Sequence, residues 1–360
     1  MLVWLAVLLL GATGCSVPIS SWTGLTVSEG QVYASDVQQV QVLNATDGEV
    51  IWAFPADPKE ENLGEFYATP AVNETYVIAA SRMPPGGFLS QRQNIVWGLD
   101  AKTGQELWRF DEARDQYIEG GAINEDIVVI GNSDGNVYAL EIATGKLLWK
   151  LETGHRVWAT PLIVDDTVYV GSMDRHMYAL DLSDGTVLWE LETTGAFASA
   201  PVLHEGILFI GAFDNRLYAI DAAEGTERWH FQGENWFWGS PALYGTTLYA
   251  ADTAGNVYAL EAATGDRIWH VALEVPVRGG LAVSDDGTLL FVSSENGSLY
   301  ALETSDGFER WKSEGEGQLF SSPVVSGTMV LEIRINSAEH IRALEVDDGR
   351  PAWVFPVEEE

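Results

Sequence analysis

The chain has 360 residues, 46% of them hydrophobic, and its 53 acidic side chains against 19 basic ones leave a formal net charge of −34. So few cations, with no basic stripe among them, cannot neutralise a run of phosphates, which excludes nucleic acid as a partner. One cysteine in the whole chain excludes an intrachain disulfide.

Leu2–Leu10 is an unbroken apolar run, and its nine residues are too few to cross about 30 Å of hydrocarbon as a helix. Small residues follow it, then Cys15, as in the signal peptide of an exported chain. Ala12-Thr13-Gly14-Cys15 resembles a bacterial lipobox, with Ala12 where Leu is usual and no Lys or Arg before the apolar run. The resemblance implies a lipoprotein signal peptide over 1–14, lipidation of Cys15, a tether over 15–21 and a mature domain over 22–360. Exported proteins normally pair their cysteines, and the place of the lone Cys15 at the processing site agrees with lipidation.

From Trp52 onward a tryptophan recurs at intervals of 56, 41, 40, 40, 40, 42 and 42 residues, giving Trp52, Trp108, Trp149, Trp189, Trp229, Trp269, Trp311 and Trp353. Each is preceded by a Gly four residues earlier and, in the clearest copies, by a Tyr-Ala-Leu-Asp-like tetrad, as in Val137–Trp149, Met177–Trp189, Leu217–Trp229 and Val257–Trp269. A period of about 40 residues is the signature of an array of small identical units. Within one unit, Val157–Leu191, four segments of five to eight residues are rich in Val, Tyr, Leu and Trp and roughly alternate, which is strand patterning. Asp134-Gly135, Asp214-Asn215 and Asn296-Gly297 separate the second and third segments, and a Thr-Gly, Asp-Gly or Glu-Gly pair separates the third and fourth. Such pairs supply positive φ and close antiparallel hairpins.

Four antiparallel strands per unit make a propeller blade, and eight copies between Trp22 and Phe355 predict an all-β, eight-bladed β-propeller rather than an open solenoid. The repeats stay in phase from first strand to last, which predicts direct contact between the first and last blades without a long strand exchange. The recurrent tryptophans are read as structural, each ring packing flat over backbone of the neighbouring blade.

The pattern Ala-x-Asp/Glu-x-x-Thr-Gly-x-x-x-Trp at Ala139–Trp149, Ala179–Trp189, Ala219–Trp229, Ala259–Trp269 and Ala301–Trp311 resembles the tryptophan-docking repeat of pyrroloquinoline-quinone (PQQ) type propellers, with substitutions at the Thr in some copies. That resemblance carries a fold and little chemistry. It raises PQQ with calcium as the alternative cofactor, although no motif places a catalytic Asp or calcium ligands and a single cysteine cannot form the vicinal disulfide that many PQQ dehydrogenases carry. The six histidines show no paired spacing for a metal, and no Gly-x-Ser-x-Gly elbow is present. No catalytic residue, metal site or cofactor is expected.

Three residues before the proline that opens each blade, or its equivalent, stand Trp22, Tyr67, Ile118, Trp158, Ala198, Trp238, Arg278 and Phe320. These positions are expected at the start of the innermost strands, near the mouth of the central channel. Arg156 and Trp236, two residues earlier, are expected on the same side. Trp22, Tyr67, Arg156, Trp158, Trp236, Trp238, Arg278 and Phe320 are therefore the candidate binding residues, since aromatics and Arg dominate binding hot spots; filling of gaps between blades is the other role open to these rings. The second unit is irregular, with six extra residues in Pro55–Glu65 and ten more between Ser81 and Asn94. In the latter insertion Arg82, Met83, Phe88, Leu89 and Arg92 are candidates for a protein contact, basic and apolar on an acidic body, beside the simpler reading of a surface loop. The acidic runs at Lys59-Glu60-Glu61 and Glu358-Glu359-Glu360 read as solvated surface, with a basic partner surface as the alternative.

An exported, lipid-anchored, eight-bladed propeller of such repeats is similar to BamB-type lipoproteins of the machinery that folds outer-membrane β-barrels. The similarity implies a non-enzymatic, monomeric scaffold in the cell envelope. It would be anchored through Cys15 to the periplasmic side of the outer membrane, or to the outer face of the cell membrane where there is only one. It would bind protein partners such as a BamA-like barrel-assembly protein. The alternative is a small-molecule or quinone-binding propeller that uses the channel mouth.

Overall fold

The computed structural model describes residues 24–59, 61, 63–83 and 93–356. Cys15, the proposed signal peptide and tether, Trp22, Phe88, Leu89 and Arg92 lie outside these residues. Every regular element described is a β-strand. They form eight sheets of consecutive antiparallel strands: blade 1 (25–54), blade 2 (65–110), blade 3 (122–152), blade 4 (162–192), blade 5 (202–232), blade 6 (242–272), blade 7 (281–313) and blade 8 (324–355).

Each blade contacts the next through a shared apolar cluster, and the chain closes into a ring because blades 1 and 8 share one as well. Leu25, Val32 and Leu43 pack there with Leu331, Ile341 and Trp353. Both blades are built from contiguous chain, so closure requires no exchanged strand.

The docking motif has a geometric explanation. The motif Ala stands directly opposite the Trp across the third and fourth strands, as Ala179 opposes Trp189 and Ala301 opposes Trp311, and the register shifts at the next residue. A small side chain at that position leaves the indole free to turn outward onto the neighbouring blade. There its Nε1–H donates to a backbone carbonyl: Trp108 to Ile142 at 2.8 Å, Trp149 to Leu182 at 2.7 Å, Trp229 to Ala262 at 3.1 Å. The ring lies against the glycine turn of that blade. Gly185 has φ 74°, and a Cβ there would sit 2.6 Å from Trp149. The Gly and the Trp of the repeat thus meet between units. The acidic residue of the motif caps the same turn, Asp181 accepting from the Ser183 amide at 2.8 Å, and the repeat tyrosine reaches back to the preceding turn, as in Tyr178 Oη to Asp174 at 2.8 Å.

Two blades depart from the repeat. Blade 2 carries a fifth strand, Glu65–Phe66, paired to Tyr76–Met83, so this sheet has five strands where four were expected. The extra residues before Pro70 provide that strand. Blade 8 buries an ionic cluster where blade 4 has Val, Tyr and Ser. Glu332 and Arg342 are cross-strand partners, at the position held by Val170 and Tyr178 in blade 4, and Arg334 replaces Ser172. The fully buried Arg334 pairs with Glu332 at 2.6 Å and donates to the Glu316 carbonyl at 2.9 Å, while Arg342 donates to Ser313 Oγ at 2.9 Å in blade 7.

Candidate functional site

The segments that precede the innermost strands run toward the axis of the ring, and their sequence controls how closely the blades approach. The residue just before the blade-opening position is Gly24, Thr69, Gly120, Thr160, Ala200, Ser240, Gly280 and Ser322 in successive blades, small in every case, and all eight line one central cavity of about 380 Å³. Size is limiting here because the segments touch: a Cβ on Gly280 would lie 2.1 Å from Ser322 Oγ, and one on Gly24 1.7 Å from Thr69 Oγ1. Hydroxyls also tie neighbours together, Ser240 Oγ accepting from the Ala200 amide at 3.1 Å and Thr26 Oγ1 donating to the Pro70 carbonyl at 2.7 Å.

Two ionisable side chains line the cavity among the described residues, Glu119 from the segment before blade 3 and Arg278 from the segment before blade 7. Blades 3 and 7 are four apart in a closed ring of eight, so the carboxyl and the guanidinium stand on opposite walls. Glu119 has no hydrogen bond or ion pair among the described residues. The residue is half-buried, and the protein around its carboxyl strips enough hydration to push its pKa up from 4.5 to about 7. Arg278 is held on one edge by Glu295, Nε to Oε2 3.3 Å, and presents its guanidinium to Trp238 at 5.4 Å and to Phe320 at 5.8 Å from the ring centroids. Both distances are within cation–π range.

The aromatic series continues outward. Trp238 contacts Phe213 with centroids 4.8 Å apart, and Phe213 stacks on Trp236 at 5.1 Å and 22°. Trp236 is 45% exposed. A ladder of Trp236, Phe213, Trp238, Arg278 and Phe320 therefore runs from solvent to the cavity wall across blades 5 to 8. Planar groups bind well to such a surface.

The candidate channel residues divide accordingly. Trp238, Arg278 and Phe320 line the cavity, and Trp236 joins them through Phe213. Trp158 does not reach it; its Nε1–H donates to Ser133 Oγ at 3.1 Å, and Arg156 lies over its ring at 5.8 Å. Tyr67 is half-buried and lies outside the lining. None of these residues begins an innermost strand. That strand in blade 4 is Leu162–Val164, so Trp158 belongs to the irregular segment before Pro161, and the same holds for Trp238 relative to Ala242–Tyr244. Proline removes a ladder donor, which delays pairing until the next residue. Arg82 and Met83 are likewise strand residues rather than loop residues. Arg82 Nη1 donates to Gln116 at 2.9 Å and Met83 packs against the blade 1–2 core.

Sequence reasoning missed Glu119, Phe213 and Ser199. Alignment on the blade-opening prolines contains the signal for the first of them. Glu119 and Ser199 share a position held elsewhere by Thr23, Ala68, Ala159, Gly239, Gly279 and Ser321, and a lone Glu among small residues is the exception. Among the described residues no three His, Cys, Asp or Glu side chains are grouped so as to hold a metal ion.

Comparison with known proteins bears on the whole chain. A family model described as outer membrane protein assembly factor BamB matches residues 11–157, 151–274 and 253–360. Tetrathionate hydrolase of Acidithiobacillus ferrooxidans is 32% identical over 114 residues, 30% of this chain and 23% of its own length. Quinohemoprotein alcohol dehydrogenase ADH IIB of Pseudomonas putida is 28% identical over 144 residues, 36% of this chain and 19% of its own length. The matched stretches thus span about a fifth of these relatives. Among solved structures, BamB from Moraxella catarrhalis superposes with a TM-score of 0.72 at 18% identity, covering 89% of this chain and 94% of that one. A computationally designed protein, Ika8, gives 0.75 at 16% identity, covering 90% and 96%. At such identities the likeness is one of fold.

Proposed function

Because the chain belongs to the family of outer membrane protein assembly factor BamB, we propose that it is a non-enzymatic, envelope-associated scaffold that supports assembly of membrane β-barrel proteins through protein contacts. One observation beside the family match supports this reading. The fourth strand of every blade is a sheet edge, and the residue before the docking tryptophan is an exposed aliphatic in five blades: Ile51, Leu107, Leu148, Leu188 and Ile268. A rim of edge strands with outward apolar side chains suits contact with extended or strand-edge segments of a partner. A BamA-like barrel-assembly protein is the partner this reading names. The lipid on Cys15 is the proposed anchor, and the protein acts as a monomer.

Mild crosslinking in native membranes, followed by recovery of the protein and mass spectrometry, tests the scaffold. A barrel-assembly protein recovered with the native chain and lost on Leu148→Glu/Leu188→Glu supports it; recovery of no such protein overturns it. Replacement of Cys15 by Ser is expected to release the protein from membranes.

A second reading, a small molecule held in the central cavity, is favoured by the ladder that ends on Arg278. We read PQQ with calcium as a poor occupant. The wall carries one carboxylate and one guanidinium among the described residues, little negative charge for a calcium site, which is usually built around several carboxylates, and a single cation for a quinone bearing three carboxylates.

A further inference from the structure

We propose that the central cavity is a binding site for a small zwitterion, a molecule with an ammonium group at one end and an acid group at the other, which spans from Glu119 to Arg278. This deepens the second reading given above and does not depend on the scaffold role.

Two observations and one consequence of them carry it. The first is placement: the two charged residues on the wall belong to blades 3 and 7, which face each other across the ring. Each is also an individual departure from its repeat position, Glu119 among small residues and Arg278 among aromatic or aliphatic ones. Neither is required by the packing that explains the rest of the ring. Small residues close the neck in the other blades, and aromatics or Ile fill the position of Arg278 in six of them.

The second is unused hydrogen-bonding capacity. Ser199, 6% exposed, lines the cavity, and its Oγ has no partner among the described residues. Buried hydroxyls are nearly always paired. Glu119, too, has no protein partner among the described residues, although a carboxylate surrounded by protein normally has one. Both groups suit an N–H or O–H that arrives with a ligand.

The consequence is charge selection. A pure anion is repelled by Glu119 and by the field of a chain with net charge −34. A pure cation meets Arg278. A molecule with both charges, correctly oriented, satisfies both walls. Trp238 and Phe320, which flank the guanidinium, provide faces for a planar or apolar middle section. The cavity, at about 380 Å³, lies at the small end of the range for ligand pockets, the size class of an amino acid or a short peptide.

Ligand binding is linked to a proton. With its carboxyl pushed up to about 7, Glu119 is about half protonated at neutral pH. An ammonium partner favours the carboxylate, so binding releases protons. Arg278 is the other ionisable group on the wall among the described residues.

The test is calorimetric titration of the purified domain with ω-amino acids of two to six carbons, glycine to 6-aminohexanoate, and with phenylalanine. Butylamine and butyrate serve as single-charge controls, and PQQ with calcium as a separate arm. One chain length is expected to bind about tenfold or more tightly than either control, and Glu119→Gln and Arg278→Gln are each expected to weaken it by about tenfold, as for loss of one charge-assisted contact. The heat should differ between buffers of unlike ionisation enthalpy for the native chain and not for Glu119→Gln. If every amino acid binds no better than the controls, or both variants bind like the native chain, the zwitterion site is wrong. PQQ uptake in that case leaves a small-molecule cavity standing and overturns only this ligand class; no uptake of any probe overturns both.

Discussion

The indole Nε1–H of Trp353 donates to the backbone carbonyl of Ala45 at 2.9 Å, across 308 residues of chain. It is the same bond that Trp311 makes to Val346 at 2.8 Å between consecutive blades, repeated at the one place where the chain has to find its own beginning. A propeller held by nearest-neighbour contacts has one seam, and Trp353 together with the Leu25–Ile341 cluster closes it.

Trp353→Ala is accordingly expected to cost about 3–5 kcal/mol, as for other buried aromatic truncations. Trp353→Phe keeps much of the packing and loses the hydrogen bond, so its cost should be about 1–2 kcal/mol. Urea unfolding monitored by circular dichroism gives both numbers. A cost for the alanine variant no larger than that of the exposed Leu188→Ala would show that the seam does not depend on this residue.

Gly185 and Gly245 both have positive φ, 74° and 58°, but only the first has the docked Trp149 where a Cβ would go; nothing lies within 4 Å of the second. Gly245→Ala should therefore cost only the left-handed backbone strain, about 1–2 kcal/mol. Gly185→Ala adds overpacking of a further 1–3 kcal/mol or so. Equal melting temperatures for the two variants would contradict the docking account of the repeat glycine.

The buried cluster of blade 8 makes a prediction in two directions. Glu332→Ala leaves Arg334 and Arg342 as buried cations and should cost about 3–5 kcal/mol. The triple replacement Glu332→Val, Arg334→Ser, Arg342→Tyr installs the residues that blade 4 carries at the same positions. It should be neutral or more stable than the native chain, since burial of an ion network offsets much of its own attraction with desolvation. A triple variant less stable than the single one would show that the charges stabilise the blade.

Glu119 predicts a pH dependence. Its folded pKa, about 7, lies above the ordinary 4.5, so the folded state binds the extra proton. The associated stability is fully present below pH 4.5 and is lost as pH rises through 7. A shift of that size corresponds to roughly 3 kcal/mol; the residue is only half-buried, so solvent screening reduces the expected effect to about 1–2 kcal/mol. Glu119→Gln should match the native chain at low pH and exceed it in stability above pH 7. Parallel stability curves from pH 4 to 8 would contradict the shift.

Much of the blade was legible because its determinants are local. The Gly–Trp spacing, the Asp-Gly and Asn-Gly turns and the Tyr-Ala-Leu tetrad each fix a strand, a hairpin or a cap within one repeat, and eight of them in phase specify the ring. The site was legible in part. Trp238, Arg278 and Phe320 were identified from their shared offset before a blade-opening position, yet Trp158 and Tyr67 share that offset and do not reach the cavity. The reason is that these segments are irregular, so strand alternation does not govern where their side chains lie. The irregularity of blade 2 is visible in its sequence, but the pairing of Glu65–Phe66 with Ser81 and Arg82 depends on contacts no local pattern encodes.

The repeat, the number of blades and the positions of the eight tryptophans are written into each unit of about 40 residues. Which side chains face one another, including the meeting of Trp353 with Ala45, depends on closure of the ring. Glu119 and Arg278 are 159 positions apart in the chain; they oppose each other because eight blades close at Trp353 and Ala45, and the small residues of the inner ring set how close to the axis each one comes.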